Sequence, residues 1–205
     1  MNENVSHEKK ALQELLKANV ALLNGRSEEE VLHGILLGLK ALGFDRVRLY
    51  LLSFNNQFLL PKAHIGMDES FQVRRVVDDR PMQVLLQEKS PRLFRAEEVG
   101  PSPFGATEWI CAPLLVEQNV IGKLSADNVF SQRPISEADC ESVALFAAQA
   151  AAALAHNRLT DQTRQQEEYL SRLVSSSPIG IITNDRHGKV TLLNDRAKEM
   201  LGYSA

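Results

Sequence analysis

The chain of 205 residues carries 23 Lys and Arg against 26 Asp and Glu, a net charge of −3, with 44% hydrophobic and 24% charged residues. That composition belongs to a globular soluble chain and excludes a disordered or fibrous one. The slight acidity provides no basic face for nucleic acid, and the length accommodates one full domain plus a smaller unit.

The longest apolar stretch, Val143 to Ala155, is interrupted by Gln149 and falls short of the roughly 18–20 residues of a bilayer span. Glu3, His7 and Glu8 break any signal-peptide pattern at the start. Two cysteines, Cys111 and Cys140, make no disulfide framework and suit a reducing compartment. No membrane segment and a cytoplasmic location are therefore expected.

The first segment reads as a helix over residues 1–24. Val5, Leu12 and Asn19 are spaced by seven, and Leu15 and Leu22 lie three residues after Leu12 and Asn19. That is an a/d seam with one buried-position Asn, suited to a parallel pair; a short helix packed on its own domain is the other reading. Asn24-Gly25 breaks it. Ser27 with Glu30 forms a capping box ahead of Val31, Ile35, Leu36 and Leu39.

After Gly43 the period changes to two. Val47, Leu49 and Leu51 fall on one face of a strand, and Arg46, Arg48 and Tyr50 on the other. Asn55-Asn56 is a turn, and Phe58 to Ile65 returns antiparallel. The connection from Gly66 to Phe104 is irregular, with a short strand near Phe71 to Val76 and a short helix after Asp79 that has Pro81 in its first turn. A connection of that length is more often functional than accidental.

Glu108 to Val116 and Val120 to Phe130 read as a hairpin around Glu117-Gln118-Asn119, with Pro113 weakening one ladder position. Ser136 and Asp139 then cap a helix that nothing stops before Ser175, roughly 39 residues or about 58 Å. Leu145, Ala152, Leu159, Gln166 and Leu173 are spaced by seven along it, and Ala148, Ala155, Gln162 and Tyr169 follow the first four at three. A parallel homodimer along this seam accounts for the charged stretch Asp161 to Glu168 better than one helix lying along its domain. Beyond Ser177, Ile179 to Thr183 and Lys189 to Leu193 flank the turn Asp185 to Gly188, and Asn194 caps a last short helix.

Two runs resemble known families. Ala112-Pro113-Leu114, Gly122-Lys123-Leu124-Ser125-Ala126-Asp127-Asn128, Arg133-Pro134-Ile135-Ser136 and Phe146 to Leu159 resemble the C-terminal signature of a GAF domain. Ser177-Pro178-Ile179 through Asp185 and Gly188 to Leu193-Asn194 and Leu201-Gly202-Tyr203-Ser204 are similar to the opening third of a PAS domain. The resemblance implies an α+β fold: an antiparallel sheet of five or six strands flanked by helices, a long C-terminal signalling helix and a partial PAS hairpin. It divides the chain into an N-terminal helix (1–24), a GAF domain (25–160), a helical coiled-coil linker (161–176) and a PAS fragment (177–205). It implies a sensory module at the front of a longer signalling protein, such as a histidine kinase or diguanylate cyclase. It names no ligand or cofactor.

Catalysis finds no support. Gly-rich phosphate loops, a Gly-x-Ser-x-Gly elbow and a His-Glu-x-x-His pair are missing; Ser6-His7-Glu8 lacks the residues that follow a phosphoacceptor histidine. The histidines are too scattered for a metal site. Asp127 and Asn128 do not reproduce the family's cyclic-nucleotide set and are expected to satisfy backbone groups at a strand end. Cys111 is expected to be a buried, inert thiol; Cys140 stands at a helix start, where the dipole can lower a thiol pKa, and is expected to serve ordinary packing rather than redox sensing. The resemblance implies a cavity between the sheet and the long connection, here about Gly66 to Glu108, and its expected lining is Tyr50, His64, Met67, Phe71, Val84, Trp109 and Cys111, with Arg74 or Arg75 at the rim. Such a lining fits a mostly apolar or aromatic molecule with one anionic group at its edge. The alternative function is a structural dimerisation module with an empty pocket.

Overall fold

The computed structural model describes Gln13, residues 27–67 and residues 72–203. The expected seam of Leu12, Asn19 and Leu22, and the pocket position Phe71, lie outside the described residues. The chain divides into two compact units, Met1–Ala155 and His156–Ala205.

The first unit begins with helix α1 (Glu28–Ala41). Ser27 Oγ accepts from the Glu30 backbone N–H at 3.3 Å, and Glu30 Oε2 accepts from the Ser27 N–H at 3.2 Å. Three glutamates in the first turn and Lys40 in the last complement the helix dipole. Strands β1 (Arg46–Leu52), β2 (Phe58–Ile65) and β3 (Arg74–Arg75) follow, then a 3-10 turn (Val76–Asp78) and helix α2 (Arg80–Glu88). Strand β4 (Arg92–Arg95), a single helical turn α3 (Ala96–Val99), and strands β5 (Glu108–Val116) and β6 (Asn119–Asp127) complete the sheet. Helix α4 (Glu137–Ser175) closes the unit and runs on into the second.

All described strands of the first unit pair antiparallel in one six-stranded sheet, in the order β3-β2-β1-β6-β5-β4. Strand β4 lies within the connection from Gly66 to Phe104, where sequence predicts only a short strand near Phe71 to Val76 and a short helix after Asp79. Its four residues pair with Glu108 to Cys111 and bury Phe94 against Trp109, with ring centroids 6.2 Å apart. The expected strand near Phe71 to Val76 is reduced, in its described part, to Arg74 and Arg75.

Period-two alternation puts two different surfaces on the sheet. One face carries Val47, Leu49, Ile110, Ala112, Leu114, Leu124 and Ala126, and packs on Ile35, Leu36 and Leu39 of α1 and on Val143, Phe146, Ala147, Ala150, Ala151 and Leu154 of α4. The run of alanines on α4 lets the helix lie close to the sheet. By length and composition α4 is also the described helix that reaches the threshold for a membrane span, yet half of that apolar window is buried inside the fold. The opposite face carries Arg46, Arg48, Tyr50, Trp109, Cys111, Lys123 and Ser125, and it is buried as well. Arg46 and Arg48 share this face with Tyr50, as the alternation of β1 predicts; Arg46 lies against Phe130 and Arg48 against Phe104.

Gly122 has a reason to be glycine. A Cβ there would stand 2.1 Å from the Tyr50 carbonyl oxygen, so β6 could not approach β1 with any side chain at this position.

The second unit holds the hairpin β7 (Ile182–Asn184) and β8 (Val190–Leu193), followed by helix α5 (Asp195–Leu201). Asn194 ties it together. Its Oδ1 accepts from Ile181 N (2.7 Å) and Ala197 N (3.0 Å), while its Nδ2 donates to the carbonyls of Ile179 (2.9 Å) and Val174 (3.0 Å).

Candidate functional site

The inner face of the sheet and the overlying connection enclose a cleft of about 90 Å³. Its floor comes from alternate residues of three strands: Arg48 and Tyr50 of β1, Lys123 and Ser125 of β6, Trp109 and Cys111 of β5. Its walls come from Arg74 on β3, from Asp78 to Pro81 at the start of α2, and from Val99 at the end of α3 with the following residues 100–104. Four cationic side chains, Arg48, Arg74, Arg80 and Lys123, face two carboxylates, Asp78 and Asp79.

The charges are arranged in two groups. Asp127 is fully buried and accepts from Arg46 Nε (2.8 Å) and Nη2 (3.0 Å) and from Arg48 Nη2 (2.7 Å). Its expected role of satisfying backbone is thus secondary, a 3.3 Å contact from Val129 N. Asn128 does bond backbone, its Nδ2 donating to the Arg133 carbonyl. Second, Asp79 caps α2 by accepting from Met82 N (2.9 Å) and takes the Lys123 ammonium at 2.5 Å, with Arg74 Nε 3.4 Å away and outside hydrogen-bond geometry. Burial pushes the Asp79 carboxyl up, but Lys123, the Met82 N–H and Arg74 together hold it below its ordinary value.

Arg48 is the unusual member. Its side chain is 2% exposed, and burial draws its pKa below the ordinary value against the opposing pull of Asp127. Nη2 is paired, whereas Nη1 has no hydrogen-bond partner among the described residues. The Phe104 ring covers the group instead, its centroid 4.4 Å from the Arg48 guanidinium carbon and 5.2 Å from that of Arg74. Both guanidinium groups are within cation–π range of the one Phe104 ring.

Of the sequence-expected residues, the cleft brings together Tyr50, Arg74, Trp109 and Cys111. Val84 packs just behind it, with Leu85, Phe94 and Ala106. Arg75 points away, because neighbouring strand residues alternate; it is exposed, with Asp78 3.9 Å distant. His64 lines a separate surface hollow with Glu29 and His33, beyond the Phe58–Leu59 end of β2 that β3 covers. Met67 is half-buried after β2 and does not line the cleft. The expected apolar lining is corrected by Arg48, Lys123, Asp79 and Ser125. Arg48 and Lys123 carry one sequence signal, charge on strands whose alternate positions are apolar, and Asp79 another, its place before the helix with Pro81 in its first turn. Phe104 carried no signal at all.

Cys111 is fully buried, its Sγ 3.1 Å from Ser125 Oγ, and burial raises its pKa. Cys140 goes the other way from the dipole argument: burial, then Asp139, Glu137, Glu108 and Glu141, raise it. Among the described residues no group of three His, Cys, Asp or Glu is placed to hold a metal ion.

The positions of the long seam are exposed. Leu145 is 48%, Leu159 65% and Leu173 50% exposed, and Ala152 and Gln166 are exposed with them.

No curated protein matches the chain. Among solved structures, the GAF domain of an Acinetobacter phosphoenolpyruvate-protein phosphotransferase is 19% identical with a TM-score of 0.60, covering 72% of this chain and 94% of that one. The phycocyanobilin-bound GAF domain of a cyanobacterial phytochrome is 16% identical with a TM-score of 0.62, covering 73% and 96%. Residues 122 to 287 of a methyl-accepting chemotaxis protein are 20% identical with a TM-score of 0.59, covering 70% and 98%. At these identities the likeness is one of fold. Residues 28–154 match the GAF domain and residues 168–205 match the PAS domain. The chain belongs to the GAF domain family, with a PAS domain match following it.

Proposed function

We propose that the chain is a non-catalytic sensory module of a cytoplasmic signal-transduction protein, with a small ligand in the cleft and transmission through a parallel homodimer of α4. In this reading residues 25–160 receive the signal, residues 161–176 form the coiled-coil linker, and residues 177–205 take it up ahead of an output such as a histidine kinase. The observation that carries it is the double use of α4. Phe146, Ala150 and Leu154 are locked in the sheet's core, while Leu145, Ala152, Leu159, Gln166 and Leu173 present a heptad stripe on the same helix. A change in the sheet that rotates the buried face also turns the exposed one, and the Gln162 and Gln166 layers are weak enough for two registers to compete.

The alternative, a structural dimerisation module with an empty cleft, has one observation in its favour: the cleft holds about 90 Å³ and Phe104 already occupies part of it. Native mass spectrometry separates the two. A dimer retaining a stoichiometric small molecule supports the sensor, an empty dimer the scaffold, and a monomer removes both.

A further inference from the structure

Burying a guanidinium without an acceptor for every nitrogen is costly, and a folded chain keeps such a group where something else completes it. Arg48 fits that description. Asp127 is shared with Arg46 and reaches only Nη2 of Arg48, leaving Nη1 without an acceptor on a side chain that lines the cleft and lies against the Phe104 ring. Arg74 approaches the same ring from β3, so two guanidinium groups converge on one place from different strands. The Phe104 ring satisfies them through its π face but accepts no proper hydrogen bond.

Phe104 is also on a part of the chain built to be separable from the sheet. Residues 100–105 read Gly-Pro-Ser-Pro-Phe-Gly, and Gly100 and Gly105 have φ of +87° and +76°. Those left-handed positions at both ends mark the segment as a loop with its own turns. Its backbone bonds are internal or at its ends: Gly100 N to Ala96 O, Gly105 N to Ser102 O and Phe104 N to Ser102 Oγ. Swinging residues 101–104 outward therefore breaks no sheet ladder.

We propose that the cleft receives a small carboxylate, whose two oxygens take the place of the Phe104 ring between Arg48 and Arg74, with residues 101–104 as the displaceable cover. This rests on the reading of the cleft as a ligand site. A planar two-oxygen anion matches guanidinium geometry and supplies the acceptor that Arg48 Nη1 lacks. Asp79 is shared by Lys123 and Arg74, and Asp127 by Arg46 and Arg48, so each group holds one more cation than carboxylate. The size agrees: about 90 Å³ lies well below the roughly 300–1,000 Å³ of a drug-sized ligand's pocket. Exchange of Phe104 for the anion makes occupancy and loop position one equilibrium, which is what a sensor requires.

The test titrates the full chain with sodium acetate, disodium succinate and sodium phosphate at constant ionic strength, reading Trp109, the sole tryptophan. Saturable quenching or enhancement by acetate or succinate is expected. Arg74→Met weakens it about tenfold and Arg74→Lys restores part of it. Phe104→Ala tightens it about threefold, because the competing ring is gone. Unchanged affinity in both Arg74→Met and Phe104→Ala overturns the proposal, as does saturation by phosphate with no response to either carboxylate. A neutral molecule retained in native mass spectrometry overturns the carboxylate assignment while the sensory reading stands. An empty protein with no saturable response to any of the three anions removes both.

Discussion

Lys123 Nζ donates to Asp79 Oδ1 at 2.5 Å, with both side chains about 95% buried, and this contact ties the middle of β6 to the first turn of α2. It does two things at once. It neutralises an ammonium that the sheet carries on its inner face, and it holds the helix start that forms one wall of the cleft. Removing one partner of a buried pair leaves the other uncompensated. Lys123→Met is expected to cost about 3 kcal/mol in denaturant unfolding, while Leu124→Ile on the opposite face, with repacking, costs about 1 kcal/mol.

Acid should unfold the first unit through the same group. Burial pushes the carboxyls of Asp79 and Asp139 up, but Lys123 and the Met82 N–H for Asp79, and Arg133 and Ser136 for Asp139, hold both below the ordinary 3.8. The unfolded chain then binds more protons than the folded one. The stabilisation is complete above the ordinary value and is lost as pH falls through the depressed folded-state values. Equilibrium unfolding followed from pH 7 downward is expected to lose stability steeply only below about pH 4, and Asp139→Asn to flatten that slope.

Gly122→Ala tests the close approach of β1 and β6. A methyl group 2.1 Å from a backbone oxygen cannot be accommodated by a side-chain rotation, so the strands must part. A loss of about 3 kcal/mol in the urea midpoint analysis is expected, against less than about 0.5 kcal/mol for an exposed control such as Gln118→Ala.

Leu159→Glu places two like charges in the proposed seam. The residue is 65% exposed in the single chain, so its own fold should not change, and circular dichroism should stay as it is. Sedimentation velocity is expected to show a weakened dimer; an unaltered distribution would contradict the seam drawn through Leu145, Ala152, Leu159, Gln166 and Leu173.

The second unit should be the least protected. Of its described residues only Asn194 and Ala197 are buried, while Ile179, Ile182, Val190, Met200 and Tyr203 are exposed. Two strands and one short helix bury too little to offset the entropy of ordering them. Amide exchange beyond Ser177 is expected to be fast, and Asn194→Ala, which removes four hydrogen bonds, to make Thr183 and Leu192 indistinguishable from unfolded chain.

Local chemistry was readable without any structure where it is settled within a few residues. Ser27 with Glu30, and Ser136 with Asp139, make their capping boxes from neighbours three apart. The alternation of Val47 and Leu49 with Arg46, Arg48 and Tyr50 already separated the two faces of β1, and the unbroken run from Glu137 to Ser175 is one helix. Strand β4 escaped notice because Arg-Leu-Phe-Arg is too short to show a period and becomes a strand only by pairing with Glu108 to Cys111.

The character of the cleft was decided by tertiary structure alone. Alternation puts Arg48 on one face with Tyr50, but it tells which residues share a face and not what covers it. The connection after β2 folds over that face, bringing Asp79 to Lys123 across 44 positions of chain and Phe104 onto Arg48. Long-range ion pairs and ring contacts leave no periodicity in sequence, because each partner's own segment is stable without the other. Sequence therefore determined the helices, most strands and the family, and only the folded connection brought Arg48, Lys123 and Asp79 into a pocket expected to be mostly apolar.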